Sequence, residues 1–302
     1  MDGSVANPQP IKAIAIRLLA AFALSTMSML IKYAGERGVH LAELLFWRQA
    51  IASVVIAGFL IAIGRIATVK TQRFGAHFRR AFVGLVSMCF LYGTVLILPL
   101  AEATAINFTA PFFAVMLSVI LFKQTVGLYR WSAVAMGFVG VLIVTQPGGG
   151  AINPLGVATG LMGAFFVALI SYQVQDLNKT ESPWSIVFWF GVLSAPMAAL
   201  ALPFFAAAHD PMTWLIIGLM ALSGGIAQLL LTASLRFGSA ATIIIIDYTS
   251  LLWAVGYGWS VFDKPPSAGL WLGAPLILGA GLLITWREAV LVRDKRAAKA
   301  QS

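Results

Sequence analysis

Ten apolar runs, each close to the length that crosses a bilayer, constrain this chain more than anything else in it. They cover roughly residues 11–33, 41–63, 79–98, 100–122, 129–146, 155–175, 184–205, 212–234, 239–261 and 267–286. A hydrocarbon core about 30 Å thick takes about 20 residues of helix. It offers no water to a free peptide group, and each unsatisfied group costs several kcal/mol, so uninterrupted apolar runs close their own hydrogen bonds as helices. The expected fold class is an all-α integral membrane protein with ten transmembrane helices. Composition agrees, at 60% apolar and 10% charged residues, against about 45–50% and 25% in soluble domains. The first run reads as a span and not as a signal peptide, because no small-residue cleavage site follows it.

The chain also repeats itself. Residues 101–146 match residues 241–286 at a constant offset of 140. Ile106-Asn107-Phe108-Thr109-Ala110 meets Ile246-Asp247-Tyr248-Thr249-Ser250, and Ala114, Val115, Phe122, Trp131, Leu142 and Thr145 each meet an identical residue. Weaker echoes at offsets of 142 and 143 pair Ala21-Phe22 with Ala164-Phe165, Ser28 with Ser171, and Phe46-Trp47 with Phe188-Trp189. A duplication of this kind reads as two similar halves, residues 1–147 and 154–286, each of five helices. The uncharged turn Pro147-Gly148-Gly149-Gly150-Ala151-Ile152-Asn153-Pro154, which cannot continue a helix, separates them.

Lys and Arg set the orientation. With the N-terminus in the cytoplasm, the inner side receives 16 of them: Lys12, Arg17, Arg65, Lys70, Arg73, Arg79, Arg80, Lys123, Arg130, Lys179, Arg236, Arg287, Arg293, Lys295, Arg296 and Lys299. The outer side receives 3, Lys32, Arg37 and Lys264, and Arg48 is left inside a helix. That bias predicts both termini inside and an even number of spans. Five helices per half then force the halves to enter from opposite sides, as inverted repeats. The formal charge of +9 reflects this topology and calls for no nucleic acid. The basic tail, residues 287–302, reads as a stop-transfer anchor near anionic membrane lipid.

Over about residues 11–286 the chain resembles the drug/metabolite transporter superfamily with its paired EamA-type domains. The likeness rests on the ten-span plan and on Leu45-Phe46-Trp47-Arg48 in the second span. It rests also on Pro99-Leu100-Ala101 running to Pro111 in the fourth, Leu235-Arg236-Phe237-Gly238-Ser239-Ala240-Ala241 leading into the ninth, and Phe262-Asp263-Lys264-Pro265-Pro266 closing it. Two departures stand out. Lys123 replaces the acid that usually ends this stretch of the first half, and Leu251 replaces the proline that would match Pro111. The resemblance implies a multi-pass inner-membrane permease, a secondary transporter that moves a small metabolite by alternating access through a cavity between the halves.

Individual residues point the same way. Asp247 is the carboxylate placed inside a span, opposite the amide of Asn107 in the other half, and matching positions of inverted halves converge near the pseudo-two-fold axis. Arg48 sits about seven residues into the second span, roughly 10 Å deep at 1.5 Å per residue. A charge at that depth costs a few kcal/mol unless it faces water or a partner. The functional reading gives Asp247 a cationic group or a proton and Arg48 a carboxylate or phosphate. The alternative is an ion pair between the two that only orders the bundle. Trp47, Tyr92, Gln173, Gln228, Tyr248 and Trp253 are the other candidates for a binding pocket. Trp47 serves equally well in an interfacial belt, and Gln173 and Gln228 in bonds between helices. Lys32, near the outer end of the first span, either attracts anions or extends its amine to the surface. Asp247 is also the candidate for proton coupling, because a carboxyl group in a poorly hydrated cavity titrates upward.

Several chemistries find no support. There is no Walker-type loop for ATP, no His-Glu-x-x-His stretch and no nucleophile elbow, and His40, His77 and His209 lack metal-ligand spacing. Neither an enzyme nor a cofactor is expected. Cys89, the single cysteine, excludes an internal disulfide. Gly156/Gly160 and Gly269/Gly273 permit close helix approach but imply no dimer. A non-transporting scaffold or intramembrane enzyme is the competing reading, and the inverted repeat disfavours it. Within transport, the stretch Asp247-Tyr248-Thr249-Ser250-Leu251-Leu252-Trp253 resembles one in family members associated with S-adenosylmethionine or riboflavin uptake; amino-acid-like compounds complete the candidate substrates.

Overall fold

A computed structural model describes residues 10–123, 126–146, 152–234 and 246–300. Among these the chain is helical. Its elements are α1 (Pro10–Glu36), α2 (Leu41–Ala62), a 3-10 turn (Ile66–Val69), α3 (Phe74–Ile97), α4 (Leu100–Asn107), α5 (Ala110–Phe122), α6 (Leu128–Thr145), α7 (Pro154–Leu177), α8 (Pro183–Ala199), α9 (Leu202–Phe205), α10 (Pro211–Ser234), α11 (Ser250–Phe262) and α12 (Ala268–Ala300). Eight stretches are long and apolar enough to cross a membrane, with α4 and α5 together forming one of them. The seventh expected span is shorter, 17 residues in α8, followed after a bend by α9. The expected start of the ninth span at residue 239 lies outside the described residues, as does the Leu235–Ala241 motif. The last span does not stop at residue 286, because its backbone continues as helix through the basic segment to Ala300.

Local signals fix several helix starts. Ser182 accepts a bond from Ser185 N at 3.0 Å, and Asn153 accepts one from Leu155 N at 2.9 Å just ahead of Pro154. Each cap satisfies a donor that the first turn leaves open. Large apolar side chains such as Leu128, Phe204, Trp259 and Leu272 face outward, as lipid contact requires.

The halves are related by inversion. The matching helices α2 and α8 run antiparallel, with Trp184 at the start of α8 beside Ile56 and Leu60 near the end of α2. So do α6 and α12: a Cβ on Gly140 would lie 2.8 Å from Gly273 O, and one on Gly269 would lie 2.6 Å from Ile143 O. Glycine is required at this crossing because the neighbouring atoms are backbone. Among the first three spans of each half, packing partners exchange as inversion demands. The pair α1–α10 answers α7–α3, α2–α10 answers α8–α3, and α2–α3 answers α8–α10. One partnership breaks the rule. α1 packs on α3, but the counterparts α7 and α10 make no comparable contact, and both line a cleft.

The fourth and ninth spans share an interruption that the apolar runs do not reveal. α4 ends at Asn107 and α5 restarts at Ala110; α11 restarts at Ser250. In both, a threonine folds its hydroxyl back on the preceding turn, Thr109 Oγ1 to Ile106 O and Thr249 Oγ1 to Ile246 O, each at 2.7 Å. Thr109 N and Thr249 N bond the same carbonyls at 3.0 Å. The break therefore survives Leu251 in place of proline. Both segments run 13 residues and end on a left-handed residue, Lys123 at φ 51° and Asp263 at φ 49°. The departure at Lys123 leaves the helix end unchanged.

Candidate functional site

The two breaks meet. Phe108 and Tyr248, equivalent by the offset of 140, contact edge to face with centroids 4.8 Å apart, and α4 packs on α11. Broken helices at a repeat interface are the usual setting of transporter sites, since irregular backbone at membrane depth is tolerated only inside protein or beside a cavity.

Asp247, at one of these breaks, is held by Arg17 and not by Arg48. Arg17 Nε donates to Oδ1 at 2.6 Å and Nη2 to Oδ2 at 2.5 Å, and Nη1 reaches Ser234 Oγ at 3.3 Å and Leu231 O at 3.4 Å. The alternative of an ion pair between Asp247 and Arg48 is therefore not formed. Arg17 lies seven residues into α1 and enters the bundle from the same end as Asp247, so the pair forms without crossing the core. Asp247 is not the lone carboxylate inside a helix either. Glu43 in α2 and Glu102 in α4 are 1% and 3% exposed.

Arg48 is buried, 6% exposed. Its Nη1 donates to Gln49 Oε1 and weakly to Met88 Sδ at 3.9 Å, while its Nε has no hydrogen-bond partner. Gln49 Nε2 in turn donates to Ser194 Oγ. The Arg48 guanidinium lies 6.0 Å from the centre of the Phe190 ring. The Arg80 guanidinium lies 4.4 Å from that centre, and its Nε and Nη1 also lack partners. Arg80, Phe190 and Arg17 line a cleft of about 200 Å³, which Asn178, Gln228 and Thr232 complete. The cleft opens at the end of the bundle that carries the start of α1 and α3 and the end of α7 and α10.

The other predicted residues scatter. Gln228 lines the cleft. Tyr92 adjoins the Arg48 cluster, its hydroxyl bonding Met27 Sδ at 3.6 Å. Tyr248 points toward Gly281, where any Cβ would collide with its hydroxyl. Asn107 Oδ1, Gln173 Oε1 and Tyr248 Oη are buried without partners. Trp47 belongs to an aromatic cluster with Phe46 and Trp214 at the opposite end. Trp253, 43% exposed, stacks edge-on to Phe22 on the outer surface. Lys32 donates to Val95 O at 3.2 Å and Leu98 O at 2.8 Å, closing the end of α3. Arg17, Arg80, Phe190 and Asn178 were not among the predicted site residues. Arg17 carries the same signal that marks Arg48, a charge seven residues into a span. Arg80 is hidden because α3 starts at Phe74, five residues before its apolar run.

An inverted pair of helical halves, broken helices at their interface and a charged cleft on one side define a membrane transport protein. The sequence profile of the EamA-like transporter family matches residues 11–146 and again 154–286, so the chain belongs to that family. It is 28% identical to the riboflavin transporter of Vibrio cholerae, over 95% of this chain and 97% of that one. It is 27% identical to the S-adenosylmethionine uptake transporter of Rickettsia bellii, over 92% and 94%. The pseudopaline exporter of Pseudomonas aeruginosa is 26% identical over 94% and 96%. A solved crystal structure superposes with a TM-score of 0.65 at 19% identity, covering 93% of this chain and 98% of that one, and supports the fold alone.

Proposed function

We propose that this protein is a secondary transporter that carries a small metabolite across the inner membrane by alternating access, without enzymatic chemistry. The observation that carries this reading is the one broken partnership among the first three spans of each half, whose other contacts exchange under the inversion. α1 packs on α3, with Lys32 bonded to the end of α3 at one face, while at the other face α7 and α10 lack such a contact and line the cleft. Because the halves are inverted equivalents, swapping the two arrangements opens the cleft to the opposite side at little cost in packing. Both termini lie in the cytoplasm in this reading, the halves are residues 1–147 and 154–286, and the cleft faces inward. Arg48 and Gln228 contact substrate. Asp247 couples proton movement, since protonation removes the charge that holds Arg17 and releases that side chain into the cleft.

The riboflavin, S-adenosylmethionine and exporter relatives support a metabolite substrate and leave direction open. Uptake into proteoliposomes of riboflavin, S-adenosylmethionine and amino acids, with and without a pH gradient, tests the reading. Uptake above protein-free vesicles is expected for at least one compound. Accumulation that keeps its full dependence on the gradient in Asp247→Asn would exclude this residue from coupling. Membrane-impermeant maleimide should label Asn178→Cys, in a Cys89→Ser background, only after cells are permeabilised; labelling of intact cells reverses the orientation.

A further inference from the structure

The charge in and beside the cleft is unbalanced. Three guanidiniums, Arg17, Arg48 and Arg80, reach the interior from α1, α2 and α3. Asp247 alone is paired with one of them, and Arg17 takes both of its oxygens. Among the described residues no carboxylate lies within ion-pair distance of Arg48 or Arg80. Arg48 is more than nine-tenths buried, yet its nearest acceptors are a neutral amide and a thioether. Three N–H-bearing atoms of the two side chains, Arg48 Nε and Arg80 Nε and Nη1, are buried with no acceptor. Phe190 offers both cations a π face, which offsets part of the desolvation and accepts none of these directed bonds. Unpaired cations at membrane depth mark a pathway more often than a scaffold.

We propose that the transported metabolite is a small organic anion, whose carboxylate or phosphate is taken by Arg80 at the Phe190 wall of the cleft, with the buried charge of Arg48 on the same ring reinforcing the attraction. The inference rests on the transport reading and sharpens it. A guanidinium meets either acid with paired, charge-assisted hydrogen bonds, and Asn178 and Gln228 are left for the neutral part of the molecule. A cation such as S-adenosylmethionine would instead enter a cleft lined by no carboxylate among the described residues, with Asp247 beside it already held by Arg17.

Thermal melting of the full-length protein in detergent tests this with compounds that differ in charge. Flavin mononucleotide and riboflavin share a ring and differ by a phosphate; malate and glutamate present carboxylates; inorganic phosphate and S-adenosylmethionine complete the set. The expected result is stabilisation by an acid of the set, with Arg80→Gln weakening its affinity roughly 10- to 100-fold and Arg80→Lys restoring part of it. Preference for the mononucleotide or for the carboxylates then identifies the acidic group. Ligand-free Arg80→Gln should melt no lower than the parent, because it removes an uncompensated cation; a structural stacking role gives the opposite sign. Stabilisation by riboflavin or S-adenosylmethionine alone, indifferent to Arg80→Gln, overturns the anion assignment and leaves the transport reading intact. A lower melting point for Arg80→Gln with no shift from any acid also overturns it. Failure of every compound, charged or neutral, to enter proteoliposomes sinks the transport reading itself.

Discussion

The Arg17–Asp247 pair makes a quantitative prediction. Breaking a fully buried ion pair costs about 3–5 kcal/mol because the survivor stays buried and uncompensated, whereas exposed pairs contribute about 0.2–1 kcal/mol. Here the arginine side chain is 11% exposed and the carboxylate 32%, so one partner keeps some access to water. An intermediate cost of about 2 kcal/mol follows for either Arg17→Gln or Asp247→Asn. At about 2–4 °C per kcal/mol, each variant should melt about 4–8 °C below the parent. The double variant leaves two neutral groups of similar shape and should lose far less than the sum, with a coupling energy of about 1–3 kcal/mol. Dye-based thiol reactivity at Cys89, itself partly buried, reports unfolding in detergent. The control cycle pairs Asp247→Asn with Arg48→Gln, which share no contact and should add. Additive losses in the first cycle, or strong coupling in the second, would refute the assignment of Arg17 as the partner.

Other perturbations follow from single contacts. Gly273→Ala places a Cβ against Gly140 O and 3.0 Å from Val144 N; since backbone cannot yield, it should cost about 1–3 kcal/mol. Gly279→Ala, whose nearest neighbour is Met136 Cε at 3.8 Å, should be silent in the same melt. Lys32→Met frees the Val95 and Leu98 carbonyls and should lower stability by about 1–2 kcal/mol while leaving substrate affinity unchanged; a loss of affinity without a loss of stability would restore Lys32 as an anion attractor. Asp210 caps α10, and the bond from the Thr213 hydroxyl, followed by its backbone bond and Arg37, holds its carboxyl below the usual carboxylate range. Its contribution is complete above about pH 4, the unfolded value, and is lost as pH falls through the lower folded value. Melting curves of the parent and Asp210→Asn should therefore converge only in strong acid, and convergence near pH 6 would contradict this.

Span positions and the duplication were legible because both depend on short-range pattern: apolar length for the spans, and the offset of 140 for the repeat. The break in the fourth and ninth spans was not, although Thr109 and Thr249 stand in the aligned stretch. A hydrophobicity reading treats threonine as neutral, and Pro111, the stronger sign, has no partner in the second half. Asp247 was legible as a charge in the wrong place, but its partner was not. Arg17 lies six residues into the first apolar run and carries the signal that marked Arg48, but it was counted as an inner-side charge, and only the structure shows its side chain turned in to Asp247, 11% exposed. The cleft lay beyond sequence altogether. It goes with α7 and α10 lacking the contact that α1 and α3 make, a spacing that no local pattern encodes.

Symmetry also separates what holds the bundle from what moves in it. At one end Arg37 pairs with Asp210 at 3.2 Å and His209 with Glu43 at 2.9 Å. At the other, Arg73 pairs with Asp176 at 2.5 Å and His77 with Glu181 at 3.7 Å. These contacts exchange under the inversion, because each third span is fastened at its start to the first and second spans of the opposite half. Both sets are formed in one and the same structure, open at a single face. A gate is made at one face while it is broken at the other, so these four pairs are fastenings and not gates. Among the first three spans of each half, the partnership that differs between the faces is α1 with α3 against α7 with α10. Lys32 on the closed side and the cleft-lining Asn178 and Gln228 on the open side therefore stand where the chain rearranges when access alternates.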